Sequence, residues 1–256
     1  MTLLALDFDG VLCDSAREMG ISAWKALAMI RTERSSPLPP DGLLAAYELA
    51  RPIIETGHEA VLVMKLLNEG IALSDLLGDF PGCQARLMAE MGWDHEGLRR
   101  SFGAARDRWI EADADQWSSL SPFFPGVGAF LRKLTAAPLD TYIITTKQER
   151  FVRRLLDYND IDFPSERIFG LERGVPKENI LLDLLTRYPD RRLCFVEDRL
   201  ATLVRVMGKP ELVAVRLYLA DWGYNTDSDR ESARELKIPV LDPCDFLEFT
   251  FLEDNK

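Results

Sequence analysis

The sequence predicts an α/β fold: a Rossmann-like parallel sheet with helices on both faces, interrupted by an inserted all-helical segment. Three observations lead there. Short apolar runs alternate with amphipathic helical stretches after Pro122, a pattern that gives a parallel sheet covered on both sides. Between Ser15 and Pro122 the apolar spacing is helical almost throughout, with no convincing strand. The chain has 256 residues, 47 % of them apolar, enough for one core domain and a smaller second one.

The elements follow in order. Leu3 to Leu6 is a short apolar run that ends at an acidic, glycine-containing turn, so it reads as a buried strand. From Ser15 to Ile30, Met19, Ala23, Leu27 and Ile30 recur at helical spacing. Thr32 to Asp41, with Pro37, Pro39 and Pro40, is a loop. Gly42 to about Asp113 is helical, as in the sets Ala60/Val63/Met64/Leu67 and Leu98/Phe102/Ala105/Trp109. Pro122-Phe123-Phe124-Pro125-Gly126 is a second break, and the character of the chain changes after it. Helices are expected over Val127–Thr135, Glu149–Tyr158, Glu178–Arg187 and Leu200–Met207. Strands are expected over Thr141–Thr145, Ile168–Leu171, Leu193–Val196, Val213–Leu217 and Val240–Leu241. Residues 1–15 and 122–256 therefore form the α/β core, and 16–121 the helical insert. The tail Glu253–Lys256 is expected to fray.

Composition narrows the function classes. The formal net charge is -11, so most of the surface repels nucleic acid and anionic lipid, and neither is an expected partner. A phosphate site on such a chain needs local positive charge from a metal, lysines or backbone N–H groups. Cys13, Cys83, Cys194 and Cys244 are scattered without a CxxC pair, which fits reduced thiols in a cytoplasmic protein better than zinc or a disulfide framework. No stretch reaches the length of a membrane span. His58 and His95, the only histidines, both fall in the insert and read as packing or surface residues, so a Ser-His-Asp mechanism has little to draw on. Trp24, Trp93, Trp109 and Trp117 read as packing of the insert. No GxGxxG and no GxxxxGK[ST] follows the first strand, which excludes the common nucleotide cradles.

Ligands of open α/β sheets bind beyond the carboxyl ends of the strands. The first strand delivers Asp7 and Asp9 there. Thr141–Thr145 delivers Thr145 and Thr146, then Lys147, and Leu193–Val196 delivers Glu197 and Asp198. Two carboxylates two residues apart at a strand end can hold Mg²⁺, which takes oxygen ligands and keeps waters and substrate phosphate. A carboxylate can also attack phosphorus, while its neighbour protonates the leaving oxygen. Gly10 allows a sharp turn and brings backbone N–H groups near a phosphoryl group.

Asp7-Phe8-Asp9-Gly10-Val11-Leu12-Cys13-Asp14-Ser15 resembles the first motif of the haloacid dehalogenase superfamily in its DxDG phosphohydrolase form. That resemblance implies Asp7 as nucleophile and Asp9 as general acid/base, whose carbonyl also binds magnesium. Ile143-Ile144-Thr145-Thr146-Lys147 is similar to the second motif, with Thr145 bonding a phosphoryl oxygen. Pro176-Lys177 matches the third, which favours Lys177 over Lys147 as the lysine beside the nucleophile. Cys194-Phe195-Val196-Glu197-Asp198 resembles the fourth, with Asp198 as magnesium ligand and Glu197 as a further one. The fourth motif departs from the common GDxxxD: glutamate replaces glycine, and Thr202 stands where the second aspartate would be. The helical insert sits where the family places its cap domain. Asp14 and Ser15 read as caps of the first helix. The expected activity is Mg²⁺-dependent hydrolysis of a small-molecule phosphate ester through an aspartyl-phosphate. A sugar phosphomutase of the same superfamily and a non-catalytic binding protein that keeps the fold are the alternatives. Asp9 argues against a 2-haloacid dehalogenase, whose chemistry does without it.

Overall fold

The computed structural model describes residues 2–31, 36–136 and 139–248. Residues 32–35 of the expected proline-rich loop and the tail Glu253–Lys256 lie outside them. The chain divides into two compact units, Met1–Asp14 with Pro122–Lys256, and Ser15–Ser121. Among the described residues no helix is long and apolar enough to cross a membrane.

Strand β1 (Thr2–Leu6) opens the chain, and Leu3, Leu4, Ala5 and Leu6 are wholly buried. A strand whose four buried residues are all apolar suits the centre of a parallel sheet, where both faces are covered. The second unit follows: α1 (Ala16–Arg31), α2 (Asp41–Leu49), α3 (Gly57–Asn68), α4 (Leu73–Met91), α5 (His95–Ala112) and α6 (Ala114–Ser119). Helix α1 packs on α3 and α5. Helix starts are set locally: Thr56 and Glu59 form a capping box at α3, and Asp94 accepts from Gly97 N–H at α5. Trp109 and Trp117 are buried in this unit, and Trp24 and Trp93 pack against its apolar cluster. Its interior also holds a charge. The buried Glu18 carboxylate accepts from Arg106 at 2.8 and 2.6 Å, from Ser22 at 2.5 Å and from Trp117 Nε1 at 2.9 Å.

The first unit resumes with α7 (Val127–Ala136), β2 (Asp140–Ile144), α8 (Glu149–Tyr158), β3 (Ile168–Phe169), α9 (Lys177–Arg187), β4 (Arg192–Glu197), α10 (Leu200–Met207), β5 (Arg216–Ala220), α11 (Asp227–Glu235), β6 (Val240–Leu241) and α12 (Pro243–Glu248). The six strands form one sheet, ordered β3-β2-β1-β4-β5-β6, and every pairing is parallel. Leu3 and Ala5 of β1, Tyr142 and Ile144 of β2, and Leu193 and Phe195 of β4 form one cluster with Ile180, Leu181 and Leu184 of α9 and Leu203 and Val206 of α10. Side chains on alternate residues face oppositely, so Leu4, Leu6, Ile143 and Val196 serve the other face.

The strand expected over Val213–Leu217 starts three residues later, at Arg216. Pro210–Leu212 forms a short 3₁₀ turn, and Val213 then sits in a turn, 88 % exposed. A β-branched residue mimics a strand there only by type. Helix α11 was not expected because it buries only Ala233, leaving almost no apolar period to read. Its signal is the Thr226/Asp229 capping box.

Candidate active site

In this strand order the chain runs outward from β1 through β2 to β3, then crosses to β4 on the other side of β1 and runs outward again through β5 to β6, so the direction of winding reverses beside β1. The carboxyl end of β1 is thus the crevice where such sheets bind ligands. Asp7 continues β1, its N–H donating to Val196 O at 3.0 Å. Asp7 is 5 % exposed. After it the chain folds on itself: Leu12 and Cys13 N–H both donate to Phe8 O, and Gly10 N–H donates to Cys13 O at 2.9 Å. Gly10 has φ +89°, and a Cβ there would collide with the Asp198 carboxylate. The Gly10 N–H is occupied inside the turn, and only a residue without a side chain fits at this conformation against Asp198.

The two lysines sort to different aspartates. Lys177, the first residue of α9, lies 2.9 Å from Asp7 Oδ1 as an ion pair and donates to Glu197 Oε2 at 2.7 Å. Lys147, its side chain wholly buried, donates to Asp9 Oδ1 at 3.0 Å. Thr145 directly follows β2: its N–H donates to Phe169 O at 2.9 Å, and its hydroxyl oxygen accepts from Lys147 N–H at 3.1 Å. Thr146 follows it, half-buried. Glu197 closes β4, fully buried, and its second oxygen accepts from Arg199 N–H at 3.0 Å. Asp198 Oδ2 accepts from Tyr224 N–H at 2.7 Å. Thr202 is buried one turn into α10 and accepts from Arg205, so this position supplies no carboxylate.

Asp7, Glu197 and Asp198 place one carboxylate oxygen each within 4.8 Å of one another. Burial, then the Glu197 charge, pushes the Asp7 carboxyl from 3.8 up to about 7, with Lys177 opposing. Burial also raises Glu197, against the pull of Lys177. Burial disfavours the charge on Lys177, but Asp7 and Glu197 outweigh it and hold the ammonium above its ordinary range. Three buried carboxylates stand together, and the Lys177 ammonium meets only Asp7 and Glu197 of them, so an excess of acidic oxygens is left in a dry place. An all-oxygen donor set of this charge fits a hard divalent cation. The Asp9 carboxylate is outside the set, committed to Lys147.

No family model matches the sequence, and no curated protein matches it. Solved structures do. A predicted phosphatase from Clostridium acetobutylicum superposes with a TM-score of 0.63 at 15 % identity over 98 % of each chain. The fold is that of the haloacid dehalogenase-like hydrolases. A predicted phosphoglycolate phosphatase from Haemophilus somnus shares it at TM-score 0.60 and 15 % identity, again over 98 % of each chain. So does a HAD family hydrolase from Deinococcus radiodurans with bound phosphate and sodium, at TM-score 0.53 and 15 % identity, over 99 % of this chain and 96 % of that one.

Several residues of this haloacid dehalogenase-like core escaped the sequence reading. Tyr224 OH donates to Asp14 Oδ1 at 2.9 Å, and Trp222 Nε1 donates to Val11 O at 3.1 Å. Asp14 therefore does more than precede a helix. The available signal was Asp221-Trp222-Gly223-Tyr224-Asn225, an aromatic-glycine-aromatic turn at a strand's carboxyl end. His58 lies in the helical unit, edge-to-face on His95 with ring centroids 4.5 Å apart, and burial pushes it down to about 4.

Proposed function

We propose that this chain is a Mg²⁺-dependent phosphatase that hydrolyses a small-molecule phosphate monoester through an aspartyl-phosphate on Asp7. One observation carries the reading: Asp7 stands at the end of β1 in contact with Lys177, within reach of Glu197 and Asp198, with Asp9 two residues on and held by its own lysine. The bound phosphate in the Deinococcus radiodurans hydrolase supports a phosphoryl site on this fold.

Asp7 and Asp198 would hold the magnesium ion, with the Asp9 carbonyl oxygen as a third protein ligand. Glu197, both of whose oxygens already accept hydrogen bonds, supplies charge and fixes Lys177. When bound, the ion offsets the buried carboxylates and the phosphoryl charge and favours ionised Asp7. An Asp7 oxygen attacks phosphorus as the bond to the leaving oxygen breaks, and Asp9 gives that oxygen its proton. Asp9, now a carboxylate, takes a proton from water as the water attacks phosphorus. The Asp7–phosphorus bond breaks, and inorganic phosphate leaves. Lys177 and the Thr145 hydroxyl stabilise charge on the phosphoryl oxygens. Lys147 holds Asp9 in one orientation between these steps. The helical unit Ser15–Ser121 occupies the cap's place in the chain order, and we assign it the choice of leaving group.

A panel of metabolite phosphates plus p-nitrophenyl phosphate, assayed with and without Mg²⁺, tests the reading. Magnesium-dependent phosphate release is expected, with Asp7→Asn inactive. Retained turnover in a clean Asp7→Asn preparation would remove the nucleophile assignment, and an isomerised sugar phosphate in place of free phosphate would mark a mutase.

A further inference from the structure

The loop after β5, residues 221–226, takes no part in the chemistry above, yet it meets both acidic segments of the site. Gly223 lies so close to them that a Cβ would collide with Asp198 Cβ and Gly10 O. Tyr224 N–H donates to Asp198 Oδ2 at 2.7 Å. Asn225 Nδ2 donates to two carbonyls, Asp198 O at 2.9 Å and Ala220 O at 2.8 Å, and so bridges the end of β5 to the chain leaving β4. Asn225 is itself held: Arg230 of α11 donates to its Oδ1 at 2.6 Å and to its carbonyl at 3.2 Å. The capping box at Thr226 fixes where α11 begins, and hence where Arg230 stands. On the other side, Trp222 bonds Val11 O within the turn that follows Asp7, and Tyr224 bonds Asp14 just after it.

We propose that Gly223, Tyr224 and Asn225 are positioning residues for the metal centre: they clamp the Asp198 carboxylate and its backbone against the Asp7–Gly10 turn, so that the carboxylates stand ready for the ion. This rests on the phosphatase reading only in naming magnesium. Three linked carboxylates repel one another once ionised, and each must be held from outside to stay in place. Glu197 is held by Lys177 and Arg199 N–H. Asp198 is held by this loop. The fourth motif here lacks the second aspartate, which places more of the metal affinity on the orientation of Asp198. Outer hydrogen bonds of this kind contribute about 10–100-fold in metal affinity.

The test is calorimetric titration of Mg²⁺ into the metal-free full-length chain, well below its melting temperature, for wild type, Asn225→Ala and Gly223→Ala. Glu18→Gln, whose partners Arg106, Ser22 and Trp117 all belong to the other unit, controls for general loss of stability. The clamp predicts a magnesium Kd weakened about 10–100-fold in both loop variants. It also predicts an unchanged Kd in Glu18→Gln despite a lower Tm. Activity of the loop variants should then return toward wild type as Mg²⁺ is raised, with the KM for p-nitrophenyl phosphate little altered. A wild-type Kd in folded loop variants whose Tm has fallen would reduce the loop to packing and overturn the proposal. If Gly223→Ala and Asn225→Ala do not fold by circular dichroism, Asn225→Ser, which keeps one donor, decides on the same criterion. Wild-type protein that binds no Mg²⁺ also overturns it. Wild-type protein that binds Mg²⁺ but hydrolyses nothing sinks the phosphatase reading instead, and the affinity comparison still decides the clamp.

Discussion

Replacing Asp7 with asparagine should make the metal-free protein more stable, and increasingly so as pH rises. The Asp7 carboxyl stands at about 7 in the folded chain against 3.8 as its ordinary value, chiefly because burial disfavours the charge. Below about pH 4 folded and unfolded chains both carry the proton. Between there and about pH 7 the unfolded chain releases it while the folded chain keeps it, so stability falls as pH rises; above about 7 the loss levels off. A shift of this size corresponds to a loss on the order of 4 kcal/mol across the whole window. Asparagine keeps the shape and an acceptor for Lys177 but never ionises. Between pH 5 and 8, in EDTA, the variant should therefore gain roughly 2–3 kcal/mol over wild type, or roughly 5–10 °C in Tm for a chain of this length. Thermal unfolding followed by circular dichroism across that range is the assay. Saturating Mg²⁺ should close most of the gap, because an ion that binds only the folded state adds about 2.7 kcal/mol at a hundred times its Kd. A constant difference between variant and wild type from pH 5 to 8 would show that Asp7 is not the group that titrates.

Lys177→Met should be damaging twice over. It strips the cation from buried Asp7 and Glu197, a loss of about 3–5 kcal/mol by analogy with other broken buried pairs, and it should lower kcat by about 100-fold or more through lost charge stabilisation; Tm and steady-state kinetics read the two effects. Glu18→Gln should destabilise the helical unit by a similar roughly 3–5 kcal/mol, because the buried Arg106 charge loses its carboxylate. The near-ultraviolet circular dichroism of Trp109 and Trp117 should then melt earlier than in wild type. Gly10→Ala should lose most activity while the sheet stays folded, since both its φ of +89° and the Asp198 carboxylate exclude a side chain; far-ultraviolet circular dichroism beside an activity assay checks it.

The parallel sheet was legible because its strands carry their signal inside themselves. Leu3–Leu6 and Leu193–Val196 are apolar runs too short for helices, and each ends in acid. The carboxylate set was legible for the same reason: Asp7, Glu197 and Asp198 each stand at a strand end or directly after one, so order along the chain nearly gives position in space. Packing partners were not. The resemblance at Pro176-Lys177 favoured Lys177 beside Asp7, but nothing in the sequence paired Lys147 with Asp9, because that contact depends on the path of the chain from β2 into α8. The loop at Trp222–Asn225 was missed because its contacts to Asp198 and Val11 cross long stretches of chain, and because its key donor is a backbone N–H that any residue but proline could supply. Helix α11 has almost no buried face, and Val213 has strand-forming chemistry in a turn, so periodicity misled at both.

The most direct test of the account is to trap the phosphorylated protein. Wild-type chain mixed with Mg²⁺ and a radiolabelled accepted substrate is quenched in acid within one turnover, reduced with borohydride and digested. Label on the protein before reduction, and conversion of Asp7 alone to homoserine after it, are the expected results. Release of labelled phosphate with no labelled protein at any quench time, or label on a residue other than Asp7, would contradict an aspartyl-phosphate on Asp7.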